Sequence, residues 1–538
     1  MITAIINARC SSSRLPFKHF EKIGNKTIIE IILNTLKKNK FINEIYIATG
    51  PYNKNKKFKL ELKKKYKYLK FFFYEKENNV TERIYKLSKK INNKFCVLIS
   101  GDCVLIDNNY IERLYKTLSK KENYDFIISK KKVQHEGIKL FKTKAWKKVN
   151  NLSDKNIFQE NPGYIVQVKP QKFNILKLNP QEYELGKNSR LSVDTKSDID
   201  FFELIYQYLK YKKIEFSFKN ASKNKCFSKF NYINDHVKQK KPNEKNLKKF
   251  YLITSANKSL GLGHFKRIKI IEREIRERFT ANVDIILLDS TIKSETPNCK
   301  FITKNKFKNI NFANKRYYFI FDLPIEYLKT LSKSILKIKN LIFIDKYLQK
   351  KNSLKIIPAV SFKSDLKKKI YAGQKCLLLD REIIKQNQIN NFVKYKNKKE
   401  YLTIGGTGFS NSEILELSKK KNLNLILSSL VNKNKIRYFK NSGFNKIFID
   451  PENIYKLFAN SKKIYCRFGV TTFELIALNK VPAVLYKYEN NERLKEINYL
   501  KSKKMINCNN KSQLDKNKIF INKNLNYIFS IIDKFVYD

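Results

Sequence analysis

The stretch from Ala8 to Lys18, ARCSSSRLPFK, sets Arg9, Arg14 and Lys18 in a loop of small residues directly after the apolar run Ile2-Thr3-Ala4-Ile5-Ile6. A buried strand ending in small residues lets backbone N–H groups approach an anion, and three cations supply the charge that a triphosphate demands. There is no GK[ST], and Pro16 makes the loop a rigid turn rather than a P-loop. A solvated basic turn is the other use of such residues. Asp102 is the second candidate, because it follows the apolar strand Cys96-Val97-Leu98-Ile99 through Ser100-Gly101. A carboxylate just past a strand's C-terminal end lies in the crevice where open α/β sheets bind ligands, unless it only caps the next helix. The third is Gly261-Leu262-Gly263-His264, after the strand Tyr251-Leu252-Ile253-Thr254. Paired glycines at a strand-to-helix turn admit a ligand to the backbone and to a helix N-terminus. His264 is one of only 4 histidines, and it is either a titratable site group or an ordinary helix-start residue.

The elements that must position these residues are short apolar strands, such as Ile45 to Thr49, Phe71 to Tyr74 and Phe95 to Ser100, alternating with longer amphipathic segments. That alternation predicts α/β architecture with largely parallel sheets. A chain of 538 residues is too long for one core. Residues 223–248 are rich in Lys and Asn, contain Pro242 and have little periodic apolar content, so they read as a linker. A new strand begins at Phe250 and the alternation restarts.

The formal net charge of +64 would ordinarily point to nucleic acid or an anionic membrane surface. The excess is mostly Lys spread from end to end, accompanied by much Asn, Ile, Phe and Tyr, as in an A/T-biased coding sequence. A dedicated nucleic-acid binder would concentrate Arg on one face, so no specific nucleic-acid partner is expected. The 8 cysteines are scattered singly without a CxxC pair, and there is no secretory leader, which points to the cytoplasm. No apolar run reaches the roughly 20 residues of a membrane span, so no transmembrane segment is expected.

With IGNKTIIEIILNTLKKNKFINEIYIAT after it, the first loop resembles the opening of the sugar-activating cytidylyltransferases, approximately ARxxSxRLPGK. The spore coat polysaccharide type and the CMP-Kdo and CMP-acylneuraminate synthetases share this pattern. Ala8, Arg9, Ser12, Arg14, Leu15, Pro16 and Lys18 match, and Phe17 stands where the family has Gly. SGDCVLID, from Ser100 to Asp107, is similar to the family's GDCPLID element, with Val104 for Pro; RLSVDTKSD, from Arg190 to Asp198, resembles its VDTPEDLE segment. The resemblance implies Mg²⁺ held by Asp102 and Asp194, with Asp198 capping a helix or facing solvent. Ala8, Arg9, Ser12, Arg14 and Lys18 would contact the nucleotide. Arg14 and Lys18 would also serve catalysis, neutralising the triphosphate of CTP while a hydroxyl of an acidic, nonulosonate- or octulosonate-like sugar attacks the α-phosphorus. Glu77 to Arg83, ENNVTER, resembles the ENVLER-type segment beside the nucleotide, although an ordinary helix entry would use the same residues.

The Gly261 to His264 segment, followed by Arg267, resembles the opening of the UDP-sugar hydrolase of pseudaminic acid biosynthesis, a relative of the two-lobed GT-B glycosyltransferases. Tyr401 to Gly408 resembles its FGGSDP turn, Arg467 to Glu474 its AGGSTSWE loop, and Asn479 to Val484 its GLPSLVV strand entry. The match implies that Gly469, Thr471 and Thr472 lie at the diphosphate, Glu474 at the ribose hydroxyls and His264 at the attacking water, with Gly261 and Gly263 also holding the nucleotide. Arg467 and Phe468 occupy positions normally small, Asp322-Leu323-Pro324 lacks the aromatic of the DHY element, and Asn490-Asn491 replaces Asn-Gln. The expected architecture is α/β: a nucleotidyltransferase Rossmann-like (GT-A-like) domain over 1–222, a linker over 223–248, and GT-B-like lobes over 249–395 and 396–538. The expected protein is a cytoplasmic bifunctional enzyme of surface-glycan biosynthesis, with CTP, an acidic sugar and a UDP-sugar as partners, Mg²⁺ as cofactor, and a homodimer left open. The alternatives are a glycosyltransferase using the GT-B-like half and a non-catalytic, basic nucleic-acid or membrane-surface binder.

Overall fold

The computed structural model describes all residues except 13, 122, 135–136, 186–188, 239–247, 258–259, 280, 291–298, 309–315, 394–398, 405–410, 420–421, 429–430, 432, 486–490, 508–518 and 538. The chain forms two compact units, Met1–Glu244 and Lys245–Asp538. Both are α/β, and among the described residues no helix is long and apolar enough to cross a membrane.

The first unit is built on a seven-stranded sheet in the spatial order Leu69–Phe73, Ile42–Thr49, Ile2–Asn7, Phe95–Ser100, Ile138–Lys142, Phe126–Ser129 and Ile175–Leu178. The first four run parallel, while Ile138–Lys142 is antiparallel to both its neighbours. Central parallel strands are covered on both faces and therefore read as continuous apolar runs. Ile2, Ala4, Ile5 and Ile6 accordingly have no exposed surface. Helix Ile28–Lys37 enters through a capping box of Thr27 and Glu30 and buries Ile28, Ile29, Ile32, Leu33 and Leu36. Helix Lys196–Tyr211 enters through a second box, made by Thr195 and Asp198.

The linker expected over 223–248 begins later than composition suggests. Phe218–Lys223 and Cys226–Phe230 are helices, and Cys226, Phe227, Phe230 and Ile233 are buried. Phe230 meets Tyr208 of the long helix with ring centroids 5.5 Å apart, and Phe227 meets Phe218 at 5.4 Å. A few well-spaced aromatics dock these turns, although the Lys and Asn between them lower the local hydropathy. Of the expected linker, 239–247 lies outside the described residues.

The second unit holds two sheets, each parallel throughout. The larger runs Cys299–Ile302, Asn282–Leu288, Lys249–Thr254, Tyr317–Asp322, Leu341–Ile344, Leu354–Ile357 and Ile370–Ala372. The smaller runs Lys446–Ile449, Leu423–Leu427, Glu400–Ile404, Lys463–Arg467 and Ala483–Leu485. The expected division at 395/396 needs one correction, because the final helix Ile521–Tyr537 packs on the larger-sheet side. Phe529 faces Phe279 at 6.4 Å between centroids, and the Tyr318 hydroxyl donates to the Val536 carbonyl at 2.9 Å. Its buried apolar residues share a core with those of helix Gly263–Phe279.

Phe529→Ala removes a buried ring from this contact and is expected to cost the second unit about 3–5 kcal/mol. Urea denaturation of the intact chain followed by circular dichroism measures it, with fluorescence of Trp146, the single tryptophan and a buried residue of the first unit, as internal reference. A loss below about 1 kcal/mol would show that the final helix does not depend on this packing.

Candidate active site

In the first unit, two parallel neighbours end level, with Asn7 opposite Ser100. Ala8 and Gly101 are thereby brought side by side, and the Gly101 amide donates to the Asn7 carbonyl at 2.9 Å. A Cβ at position 101 would lie 2.8 Å from both the Ala8 Cβ and the Asn7 oxygen, so no side chain fits. Beyond this contact Asp102 emerges at the C-terminal edge of the sheet. The Val193 amide donates to the Asp102 carbonyl at 2.9 Å, and Cys103 bridges Ser192, which carries the distant 190–194 segment across the same edge.

Lys18 joins the two acids. Its Nζ lies 2.9 Å from Asp102 Oδ2 and 2.9 Å from Asp194 Oδ1. The remaining oxygens are also held: Ser100 Oγ donates to Asp102 Oδ1 at 2.6 Å, and Asp194 Oδ2 meets Arg14 at 2.9 Å and also Arg190. Burial opposes charge on each acid, but Lys18 overrides it and holds both carboxyls below the ordinary carboxylate range. For Lys18 burial likewise opposes the charge, and the two acids reverse the effect and raise its affinity for the proton.

The other residues of the first loop are fastened from behind. Arg9 donates to Asn78 Oδ1 at 2.9 Å, Ser11 to Glu77 Oε1 at 2.5 Å, and Arg14 to the Lys238 carbonyl at 3.0 Å. Ser12 Oγ accepts from the Leu15 amide at 3.3 Å and so closes the turn. The Glu77 to Arg83 segment therefore does stand beside the loop, and Arg83, fully buried, donates to Asn7 Oδ1 at 3.1 Å. Asp198 faces neither solvent nor ligand. It is buried, its Oδ2 accepting from the Asp194 and Thr195 amides at 2.9 Å and its Oδ1 from Arg190 and Asn234 at 3.0 Å. Arg190, Asp198, Ser100 and His19 were absent from the expected site. The Asp198 spacing after Thr195 was a readable capping signal, whereas long-range partners such as Asn234 carry none in local sequence.

In the second unit, Asp322 ends its strand fully buried and gathers two groups. His264 Nδ1 lies 2.6 Å from Asp322 Oδ1, and Arg267 grips both Asp322 oxygens at 2.7 and 2.8 Å while reaching Asp345 at 3.1 Å. Two lone pairs would repel at 2.6 Å, so Nδ1 carries a proton toward Asp322, with an Arg267 nitrogen 3.0 Å from the same Nδ1. Burial opposes the Asp322 charge, but Arg267 and His264 keep it below the ordinary carboxylate range. His264 and Asp345 line a cavity of about 730 Å³ that also takes in Tyr347, Gly469 and Arg493. Gly261, Gly263, Gly469 and Thr471 line a second cavity of about 350 Å³. Gly261 is left-handed at φ 73°, as a glycine turn allows. Thr472 and Glu474 turn inward instead: Thr472 is fully buried and receives the Gly469 amide at 3.3 Å, and Glu474 accepts from the Tyr455 hydroxyl at 2.8 Å inside the core. The expected ribose contact of Glu474 is therefore replaced by a buried hydrogen bond that satisfies its charge. Gly405 to Gly408 and Asn490 lie outside the described residues.

Residues 3–222 match the cytidylyltransferase family. An uncharacterized protein of Methanocaldococcus jannaschii is 31% identical over 205 residues, spanning 37% of this chain and 81% of that protein. A cytidylyltransferase structure from Leptospira borgpetersenii serovar Hardjo-bovis shares 23% identity and covers 43% of this chain and 96% of its own, with a TM-score of 0.38. A CMP:2-keto-3-deoxy-manno-octonic acid synthetase structure in complex with CTP shares 14%, covers 40% and 99%, and has a TM-score of 0.32.

His19 gives the first site a distinct acid sensitivity. Its Nδ1 donates to the Gly101 carbonyl at 2.9 Å, and its Nε2 accepts from the Arg9 amide at 3.3 Å, so both nitrogens are used only in the neutral ring. Burial first, then Lys18, lower its pKa from 6.5 to about 4. Between those values the unfolded chain binds the extra proton, and stability falls as pH falls, by about 2 kcal/mol at pH 5. The urea midpoint of Trp146 fluorescence at pH 7 and pH 5 should drop more in wild type than in His19→Asn. Equal losses would show that the imidazole is not held neutral.

Proposed function

Because residues 3–222 make the chain a member of the cytidylyltransferase family, we propose that its first unit transfers the cytidylyl group of CTP to an acidic sugar of the nonulosonate or octulosonate type, with release of pyrophosphate. The observation that carries this reading is the meeting of Lys18 and Arg14 with Asp102 and Asp194 at the C-terminal edge of the sheet. The acidic-sugar assignment rests on the likeness of the Ala8, Ser100 and Arg190 segments to the CMP-Kdo and CMP-acylneuraminate synthetases.

The donor set suits Mg²⁺: Asp102 Oδ2 and Asp194 Oδ1 are hard oxygens converging on one cation position, and Mg²⁺ needs few protein oxygens beside those of phosphate and water. Bound there, the metal would neutralise charge on the nucleotide phosphates and on the departing pyrophosphate. Arg9, Arg14 and Lys18 contribute the protein's own positive charge to the phosphates. Gly101 lets the two strand ends approach, and Ser100, Arg190 and Asp198 hold the Asp102 and Asp194 positions. Positioning and electrostatics of this kind supply most of the acceleration in phosphoryl-group chemistry.

For the second unit, the His264–Asp322 pair at a cavity favours a UDP-sugar hydrolase-like reaction. In this reading His264 deprotonates the water that attacks the anomeric carbon, the bond from that carbon to the diphosphate oxygen breaks and UDP leaves, while Asp322 holds the imidazole in place.

Pyrophosphate release from each NTP with octulosonic and nonulosonic acids tests the first reading, with CTP expected to be preferred. Asp102→Asn and Asp194→Asn should each lower the rate about a hundredfold, equivalent to about 3 kcal/mol, while leaving the fold intact. The double variant should lose little more, since both ligands hold one ion. Full turnover in Asp102→Asn at saturating CTP and Mg²⁺ would make the acid structural only.

The second reading is tested with UDP-sugar alone. His264→Ala should abolish UDP release while UDP binding persists, because the Gly261, Gly263, Gly469 and Thr471 surface is left unchanged. Undiminished turnover would remove His264 from the chemistry.

A further inference from the structure

We infer that Lys18 occupies the cation position of the two carboxylates and competes with the divalent metal for it, so that metal binds well only once nucleotide phosphate has drawn the ammonium away. This rests on the reading of Asp102 and Asp194 as metal ligands.

The geometry is specific. Each acid has one oxygen fastened by a fixed neighbour, Ser100 for Asp102 and the Arg14 and Arg190 pair for Asp194. Each gives its other oxygen to the same Nζ, 2.9 Å away in both cases. The ammonium therefore sits where a bridging cation would have to sit, and the oxygens a metal would use are the ones already paired. Lys18 is also well placed for the exchange. It opens the short turn Lys18–Phe20 at the end of the basic loop, so its backbone is fixed while a flexible four-carbon stem carries the charge.

Charge balance decides the order of events. Without nucleotide the two carboxylates already face Lys18, Arg14 and Arg190, and a divalent ion added there meets net repulsion from its neighbours. A triphosphate changes both sides of the exchange, because it gives the displaced ammonium a new anion and gives the metal additional oxygens. Metal and nucleotide should then each raise the other's affinity, and part of that coupling resides in Lys18. A lysine held away from the two carboxylates would contribute little to metal affinity in the absence of nucleotide.

That difference is the test. Mn²⁺ binding to the intact chain at pH 7.5, without nucleotide, is followed by electron paramagnetic resonance of the free ion. Lys18→Met should bind Mn²⁺ at least tenfold tighter than wild type, and adding Asp102→Asn to it should cancel the gain. Lys18→Arg, which keeps the charge, should stay as weak as wild type and guards against an effect of misfolding. Unchanged or weaker Mn²⁺ binding in Lys18→Met overturns the competition while leaving the metal-ligand reading in place, provided that Asp102→Asn still suppresses pyrophosphate release. If Asp102→Asn alters neither pyrophosphate release nor Mn²⁺ binding, the ligand reading fails and the inference falls with it.

Discussion

Everything in the first site hangs on the closeness of two strand ends. Ile2–Asn7 and Phe95–Ser100 run parallel and finish in register, so the residues that follow them compete for the same space. Only a residue without a side chain fits at 101, and its amide is tied to the Asn7 carbonyl. That tie fixes where Asp102 leaves the sheet, and the Asp102 carbonyl in turn receives Val193 and thereby places Asp194. A crowded backbone contact thus determines the separation of two carboxylates far apart in sequence, and their shared partner Lys18 becomes possible.

The two units solve one electrostatic problem in different ways. A carboxylate at the buried end of a strand is costly unless paired and hydrogen-bonded. In the first unit the acids share three cations, Lys18, Arg14 and Arg190, at the C-terminal edge of the sheet. In the second, Asp322 is enclosed completely and held by the planar fork of Arg267, which suits a permanent, bidentate pair. Asp345, at φ 71° directly after its own strand, completes the network from the next position along the sheet. The first arrangement spreads one pair of acids over several cations; the second fixes a single acid in one bidentate pair.

Much of this was legible locally. The alternation of strands and helices, the basic loop and the carboxylate after Cys96 to Ile99 are all short-range patterns, and Lys18, Asp102 and Asp194 stand together in the fold. Thr195 and Asp198 also announced a helix start. What could not be read was set by distance. Nothing in Asn234 places it on Asp198. The same limit explains the late start of the linker, where Phe227 and Phe230 depend on partners such as Tyr208 and Phe218 that only the folded helix presents. Asp345 was readable in principle, since Leu341 to Ile344 followed by a carboxylate repeats the pattern that exposed Asp102. Glu474 shows the reverse error, a plausible ligand residue that Tyr455 draws into the core.

Phe17 completes the argument about what the basic loop requires. Related loops place Gly there, and a bulky residue in the left-handed region costs on the order of 1–2 kcal/mol. Phe17 nevertheless adopts φ 57°. The turn is held from both sides, by the Phe17 amide on the Cys10 carbonyl at 3.0 Å and the Phe20 amide on the Phe17 carbonyl at 2.8 Å. Its ring is half exposed, with Lys57 over it at 4.8 Å. The conformation is therefore retained although the residue that makes it easy is not. This is expected if the backbone must turn at that point to send Lys18 inward to the carboxylates, because a relaxed turn would leave the two acids without the one cation they share.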